Sequence, residues 1–108
     1  MKAIAIKPGK GDSHIIETVE PSIKNDDDVK LQVMQVGICG TDREEAIGGR
    51  AEAPEGQDEL IIGHEMFGRV TEAGKNVRSV RKGDYALFMV RRPCGKCYFC
   101  NNQRSDLR

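Results

Sequence analysis

The stretch VKLQVMQVGICGTD, residues 29–42, decides the fold class of this chain. Side chains over residues 29–36 follow a period of two, which is typical of a β-strand with one buried face. The alternation stops at Gly37, and Cys39 follows just beyond it. The sequence therefore predicts a strand that delivers a cysteine to a loop.

A short helix is predicted directly after this cysteine, over residues 41–47. Thr41 is a suitable N-cap, and Glu44 follows it at the spacing of a capping box. Gly48 and Gly49 then end the helix.

The other regular elements are predicted to be strands. Alternating or apolar segments bounded by turn residues lie at residues 1–7, 13–19, 67–73 and 85–90. The first two flank the turn sequence PGKGD and are expected to form a hairpin. Because strands outnumber helices, the predicted fold class is mainly β, a small barrel or rolled sheet with short helices.

Length and charge limit the classes of function. A chain of 108 residues, 31% of them charged, is sufficient for one domain. Its 17 basic residues offset 17 acidic ones, which gives no electrostatic basis for binding nucleic acid or an anionic membrane surface. No apolar run approaches the length of about 20 residues that a membrane span needs, and no signal-peptide core is present. We expect a cytoplasmic protein with a small, uncharged partner.

Two groups of residues have the chemistry of metal ligands. Cys94, Cys97 and Cys100 are separated by two-residue gaps, which favours metal ligation over disulfides in a chain without export signals. Cys39 and the pair His64 and Glu65 offer the ligand types of an open zinc site. Spacing alone leaves a second interpretation open for them, since buried cysteines and hydrogen-bonded histidines are common in ordinary cores.

The order of four motifs resembles that of zinc-dependent medium-chain alcohol and polyol dehydrogenases. The motifs are Gly37-Ile38-Cys39-Gly40-Thr41-Asp42, Gly63-His64-Glu65, Gly83-Asp84 and Cys94-x-x-Cys97-x-x-Cys100. Four ordered motifs are far harder to meet by chance than one, and the resemblance covers essentially the whole chain.

A narrower resemblance is to the archaeal glucose 1-dehydrogenases. It rests on the run GTDRE, residues 40–44, and on RRPC, residues 91–94. Glu44 stands where alcohol dehydrogenases of the family usually have a proton-relaying histidine.

The family's architecture is a GroES-like barrel followed by a Rossmann domain that binds NAD(P). This chain has no G-x-G-x-x-G sequence after a strand, so nothing in it is suited to hold a pyrophosphate. The resemblance implies that residues 1–108 are the GroES-like catalytic domain, with the Rossmann domain absent and an incomplete structural-zinc lobe at residues 91–108. We expect NAD(P) to act only through the absent domain and the isolated chain to be inactive.

The resemblance also implies a role for each residue of the first group. Cys39 and His64 would bind the catalytic zinc, with Glu65 as a third ligand, either directly or through water. Thr41 would hydrogen-bond the substrate hydroxyl and pass its proton outward. An alternative for Thr41 is that it only caps the following helix, and the two roles are compatible.

Two acidic residues near Thr41 have two interpretations each. Asp42 and Glu44 are placed to reach sugar hydroxyls, or to balance Arg43 and the helix dipole. The second interpretation is favoured.

The cysteine lobe lacks one expected ligand. Cys94, Cys97 and Cys100 would hold a structural zinc, but Arg108 occupies the family's fourth position, and a guanidinium cannot bind zinc. Either the lobe has lost its zinc or binds it weakly through three cysteines and a water or outside ligand, or residues 101–108 are out of register with the family. We predict sub-stoichiometric zinc in this lobe.

Other residues are expected to be structural. His14 matches no motif, so a surface or packing role is expected. Gly63, Gly68 and Gly83 are expected at tight turns or close approaches that exclude a Cβ atom.

The resemblance implies an NAD(P)-dependent oxidoreductase that takes hydride from a sugar or polyol hydroxyl, with glucose C1 favoured. One alternative is a non-enzymatic zinc-binding or assembly barrel of the same fold. Another is the domain of a different medium-chain alcohol, polyol or threonine dehydrogenase. The expected partner is a small sugar or polyol, with no nucleic acid and no membrane, and homo-oligomer formation is left open.

Overall fold

A computed structural model describes residues 1–88, 90 and 93–104. Within these residues the chain forms eight short elements in the order β1 Lys2–Ile6, β2 Ser13–Glu17, β3 Val29–Gly37, α1 Gly40–Ala46, β4 Leu60–Ile61, β5 Glu65–Ala73, β6 Tyr85–Phe88 and α2 Tyr98–Asn101. The predicted class, mainly β with short helices, is confirmed. None of the helices in this described part is long and apolar enough to cross a membrane.

The first sheet has the strand order β2-β1-β4. β1 and β2 pair antiparallel from Lys2 opposite Glu17 to Ile6 opposite Ser13, which confirms the predicted hairpin. β4 pairs antiparallel with the other edge of β1.

The second sheet has the strand order β3-β5-β6 and holds both of the long strands. β3 and β5 pair antiparallel, with the last pair formed by Gly37 and Glu65. At Gly68 on β5, a Cβ atom would lie 2.2 Å from the carbonyl oxygen of Gln32 on β3. Only glycine allows this approach, as expected for this position.

The start of α1 differs from the prediction. The N-cap is Cys39, whose backbone is extended, and the helix begins at Gly40. The Asp42 carboxylate accepts a hydrogen bond from the backbone N–H of Cys39 at 2.9 Å. The predicted N-cap and capping box at Thr41 and Glu44 are therefore wrong: Thr41 lies inside the first turn.

Each of the five predicted strands differs from the observed one by one or two residues at one or both ends. β5 starts at Glu65, before the predicted start at residue 67. β6 ends at Phe88, whereas a strand over residues 85–90 is predicted. Met89 lies outside the described residues, and Val90 is not part of a strand.

The hydrophobic core is small. Its fully buried apolar side chains within the described residues are Ala5 and Ile6 on β1 and Val70 on β5. Residues of both sheets line an open apolar groove of about 1050 Å³. Val33 on β3 and Ile61 on β4 lie in this groove and remain about half exposed.

Candidate metal centre

Strand pairing brings the first group of predicted ligands together. Cys39 lies just beyond the end of β3, and Glu65 is the first residue of β5. Gly37 and Glu65 face each other as the last pair of the β3–β5 ladder, so the chain on either side of this pair converges at one end of the sheet. Gly63 precedes His64 with a φ of 110°, a turn conformation suited to glycine.

The ligand atoms of Cys39, His64 and Glu65 all lie within 4.8 Å of one another. Cys39 Sγ is 3.3 Å from His64 Nε2. Zinc bonds of about 2.3 Å to sulfur and about 2.0 Å to nitrogen, at a tetrahedral angle, place these two atoms about 3.5 Å apart. Cys39 and His64 are half-buried and Glu65 is exposed. The donor set therefore fits zinc, with Glu65 on the solvent side.

Asp42 contacts two of the candidate ligands, His64 and the backbone of Cys39. Its side chain is buried, only 5% exposed, and Oδ1 lies 3.3 Å from His64 Nδ1. Its other oxygen accepts the hydrogen bond from Cys39. A carboxylate at Nδ1 favours the imidazole tautomer whose Nε2 is free to bind a metal.

This contact is not predicted from the sequence, which favours charge balance with Arg43 for Asp42. The available signal is the three-residue spacing from Cys39 to Asp42, which is itself a capping-box spacing. Its partner His64 lies 25 positions from Cys39 and is brought near only by the second sheet.

Thr41 and Glu44 lie away from Asp42 on α1. Both are exposed and line a separate surface cavity of about 610 Å³, together with Glu45 and Arg50. Asp42 instead borders the apolar groove. The structure therefore groups Thr41 with Glu44, because residues three apart share one face of a helix.

The cysteine lobe forms a second group of ligands. The Sγ atom of Cys100 is 3.9 Å from that of Cys94 and 3.5 Å from that of Cys97. Tetrahedral zinc with bonds of about 2.3 Å holds its sulfur ligands about 3.8 Å apart, so these thiols fit it. Arg108 and the arginines at 91 and 92 lie outside the described residues, so the fourth position is not placed.

The backbone of the lobe favours the thiolate of Cys94. The backbone N–H of Lys96, followed by that of Cys97, lowers the pKa of Cys94 to about 6. Zinc binds the thiolate form of cysteine, so this backbone favours metal binding at neutral pH.

His14 lies in neither group of ligands. Its Nε2 is 3.0 Å from Glu59 Oε1, and Lys7 Nζ lies 3.8 Å from the same oxygen. All three side chains are about a third or more exposed. This is the ordinary surface role expected from the sequence.

The sequence profile of the alcohol dehydrogenase GroES-like domain matches residues 25–108. The chain belongs to this family. The predicted resemblance to zinc-dependent medium-chain dehydrogenases is thereby confirmed, and so is the GroES-like fold class.

Relatives of this GroES-like domain include archaeal glucose 1-dehydrogenases. That of Methanocella arvoryzae is 46% identical over 108 residues, covering 99% of this chain and 30% of the relative. That of Thermoproteus tenax is 40% identical over 93 residues, covering 86% of this chain and 27% of the relative. The chain thus spans less than a third of the length of these relatives.

Two solved structures contain a domain that is similar to this chain in sequence and fold. The Haloferax mediterranei glucose dehydrogenase in complex with NADP, zinc and gluconolactone is 34% identical, with a TM-score of 0.79, and covers 100% of this chain and 30% of its own. The alcohol dehydrogenase of Thermus sp. ATN1 is 25% identical, with a TM-score of 0.83, over 99% of this chain and 30% of its own.

Proposed function

We propose that this GroES-like domain holds the zinc and the substrate hydroxyl of an NAD(P)-dependent sugar or polyol dehydrogenase, with the glucose C1 hydroxyl as the favoured substrate group. The observation that carries the proposal is the convergence of Cys39, His64 and Glu65, with Asp42 buried behind the histidine. The names of the archaeal relatives support the sugar substrate.

The ligand roles follow from the geometry of the centre. Cys39 Sγ and His64 Nε2 would bind the metal from the protein side, and the exposed carboxylate of Glu65 would bind it directly or through water. When bound, zinc supplies a Lewis acid that lowers the pKa of a substrate hydroxyl. Asp42 holds the imidazole in the orientation and tautomer that this role needs.

Thr41 would handle the substrate proton. Its hydroxyl lies in the first turn of α1, close in sequence to Cys39, and borders a cavity open to solvent. We assign it to accept the proton from the substrate hydroxyl while donating its own toward water. Glu44 borders the same cavity. Its carboxylate would accept hydrogen bonds from sugar hydroxyls or take up the substrate proton.

The hydride acceptor would be bound outside this chain. The sequence has no dinucleotide-binding glycine motif, and the chain spans about 30% of a relative whose structure holds NADP. We therefore propose that the chain alone binds zinc and turns over no substrate.

Replacement of each histidine in the proposed parent protein, which would join this domain to an NAD(P)-binding domain, tests the proposal. His64→Gln should abolish NAD(P)-dependent glucose oxidation, whereas His14→Gln, the matched control at the surface, should retain it. Equal activity of both variants would refute the assigned centre. Turnover of simple alcohols but not of aldoses by the parent would refute the sugar assignment alone.

A further inference from the structure

Gly37 leaves room for the carboxylate of Glu65. The two residues face each other as the last pair of the β3–β5 ladder. A Cβ atom on Gly37 would lie 2.5 Å from Glu65 Oε2 and 3.0 Å from Glu65 Cβ. Unstrained contacts between carbon atoms are about 3.5 to 4.0 Å, so the carboxylate occupies space that a side chain at position 37 would fill.

The backbone of Gly37 gives no separate reason for glycine. Positive φ values occur at Gly63 and Gly83 among others, but Gly37 is not one of them within the described residues. Position 37 lies at the end of a regular strand, where other residues adopt the same backbone. The steric demand therefore comes from the side chain of Glu65.

The conflict would be relieved by moving Glu65. Its side chain is exposed, so the carboxylate has solvent into which it can turn. The closest atom to the added Cβ is Oε2, at the far end of a flexible side chain. A methyl group at position 37 should therefore displace the carboxylate. The remaining contact of 3.0 Å with Glu65 Cβ needs a shift of only a few tenths of an ångström at this end of the β3–β5 ladder, so the sheet should stay folded.

We infer that Gly37 is a positioning residue of the metal centre. Its missing side chain keeps the Glu65 carboxylate over the end of β3, within reach of Cys39 Sγ and His64 Nε2. This inference rests on the proposed function, because it takes these three residues as zinc ligands.

Zinc titration of the full chain by calorimetry tests the inference. The binding event of this centre is the one that Cys39→Ser removes. Gly37→Ala should weaken that event about 10- to 100-fold, the range measured when a residue supporting a metal ligand is lost. In Gly37→Ala, any zinc binding by the cysteine lobe and the unfolding temperature measured in chelator should stay unchanged.

Gly40→Ala is the matched control. A Cβ atom on Gly40 meets nothing within 4 Å, and the residue has no positive φ. Alanine also suits the first turn of a helix. Its zinc affinity should equal that of the unaltered chain.

A double-mutant cycle tests whether Gly37 affects zinc affinity through Glu65. In a Glu65→Ala background, Gly37→Ala should cause no further loss of affinity, because the group it displaces is already gone. The inference is overturned by unchanged affinity in Gly37→Ala, by no loss in Glu65→Ala, or by a loss that persists in the double variant. A matching fall of the metal-free unfolding temperature would also overturn it. If Cys39→Ser removes no binding event, the proposed function fails instead.

Discussion

The two groups of metal ligands in this domain are built in opposite ways. The centre at Cys39 and His64 joins residues 25 positions apart, and the β3–β5 ladder holds them in place. The lobe takes Cys94, Cys97 and Cys100 from seven consecutive residues, and the last of these lies within α2, a helix of four residues with no buried side chain. The first group is organised by the fold, whereas the second has no buried side chain in its own helix to organise it.

Metal removal should separate the two groups most clearly. In the fraction of molecules whose lobe holds zinc, chelation should remove the hydrogen-exchange protection of the amides in α2, because no side chain of this helix is buried. Amides in the β3–β5 ladder should keep their protection. Mass-spectrometric hydrogen exchange with and without chelator measures both. Loss of protection in β3 and β5 to the same extent would break the comparison.

Loss of the Asp42 carboxylate should affect one group alone. Asp42→Asn should weaken zinc binding at the Cys39 centre about 10- to 100-fold, because His64 loses its charged partner. Calorimetric titration measures this, with the exposed Asp27→Asn as the matched control. Weakened binding at the cysteine lobe would show that the two groups are coupled.

A cavity created by mutation in the second sheet should destabilise the domain as a whole, without acting on either ligand group directly. Val70 on β5 is 1% exposed, so Val70→Ala should lower the free energy of unfolding by about 2 kcal/mol. Val19→Ala, at a site 88% exposed, should change it by less than about 0.5 kcal/mol. Urea unfolding followed by circular dichroism measures both variants. Equal effects would contradict the assignment of the core to β5.

Loss of an ion pair remote from both ligand groups should have the smallest effect on stability. Glu59→Gln removes the partner of His14 and Lys7, which are partly exposed. Such pairs contribute about 0.2 to 1 kcal/mol, so the stability loss should lie in or below that range. Zinc affinity at both groups should stay unchanged in titration. A change in either affinity would show that this surface cluster communicates with a metal group.

Much of the fold and of the ligand set is predictable from local sequence. The period of two over β3 and the turn after β1 predict a strand and a hairpin, because both signals come from neighbouring residues. The two-residue spacing of the lobe cysteines likewise predicts their proximity. The resemblance of the motifs to a known family supplies the remaining pairing of Cys39 with His64.

Other features depend on distant contacts and were not predictable. The contact of Asp42 with His64 exists because β3 and β5 pair in one register. A different contact of Asp42 accompanies the earlier start of α1: its other oxygen accepts the backbone N–H of Cys39, so the cap is Cys39 and not Thr41. Sequence spacing gives several candidate caps in this region, and only the fold selects among them.

The division of the described strands into two sheets without a shared strand has a consequence for cooperativity. The hairpin sheet and the β3–β5–β6 sheet each close their own hydrogen-bond ladder. Such units can open with different free energies, as separate foldons. Cys39 and Glu65 both border the second unit, but Ile62, two residues before His64, donates its backbone N–H to the carbonyl of Ile4 on β1. Transient opening of the first unit would therefore loosen the segment that carries His64 while leaving Cys39 and Glu65 in place. The lifetime of a metal at this centre would then depend on both units, with the β3–β5 ladder holding two ligands and the first sheet restraining the third.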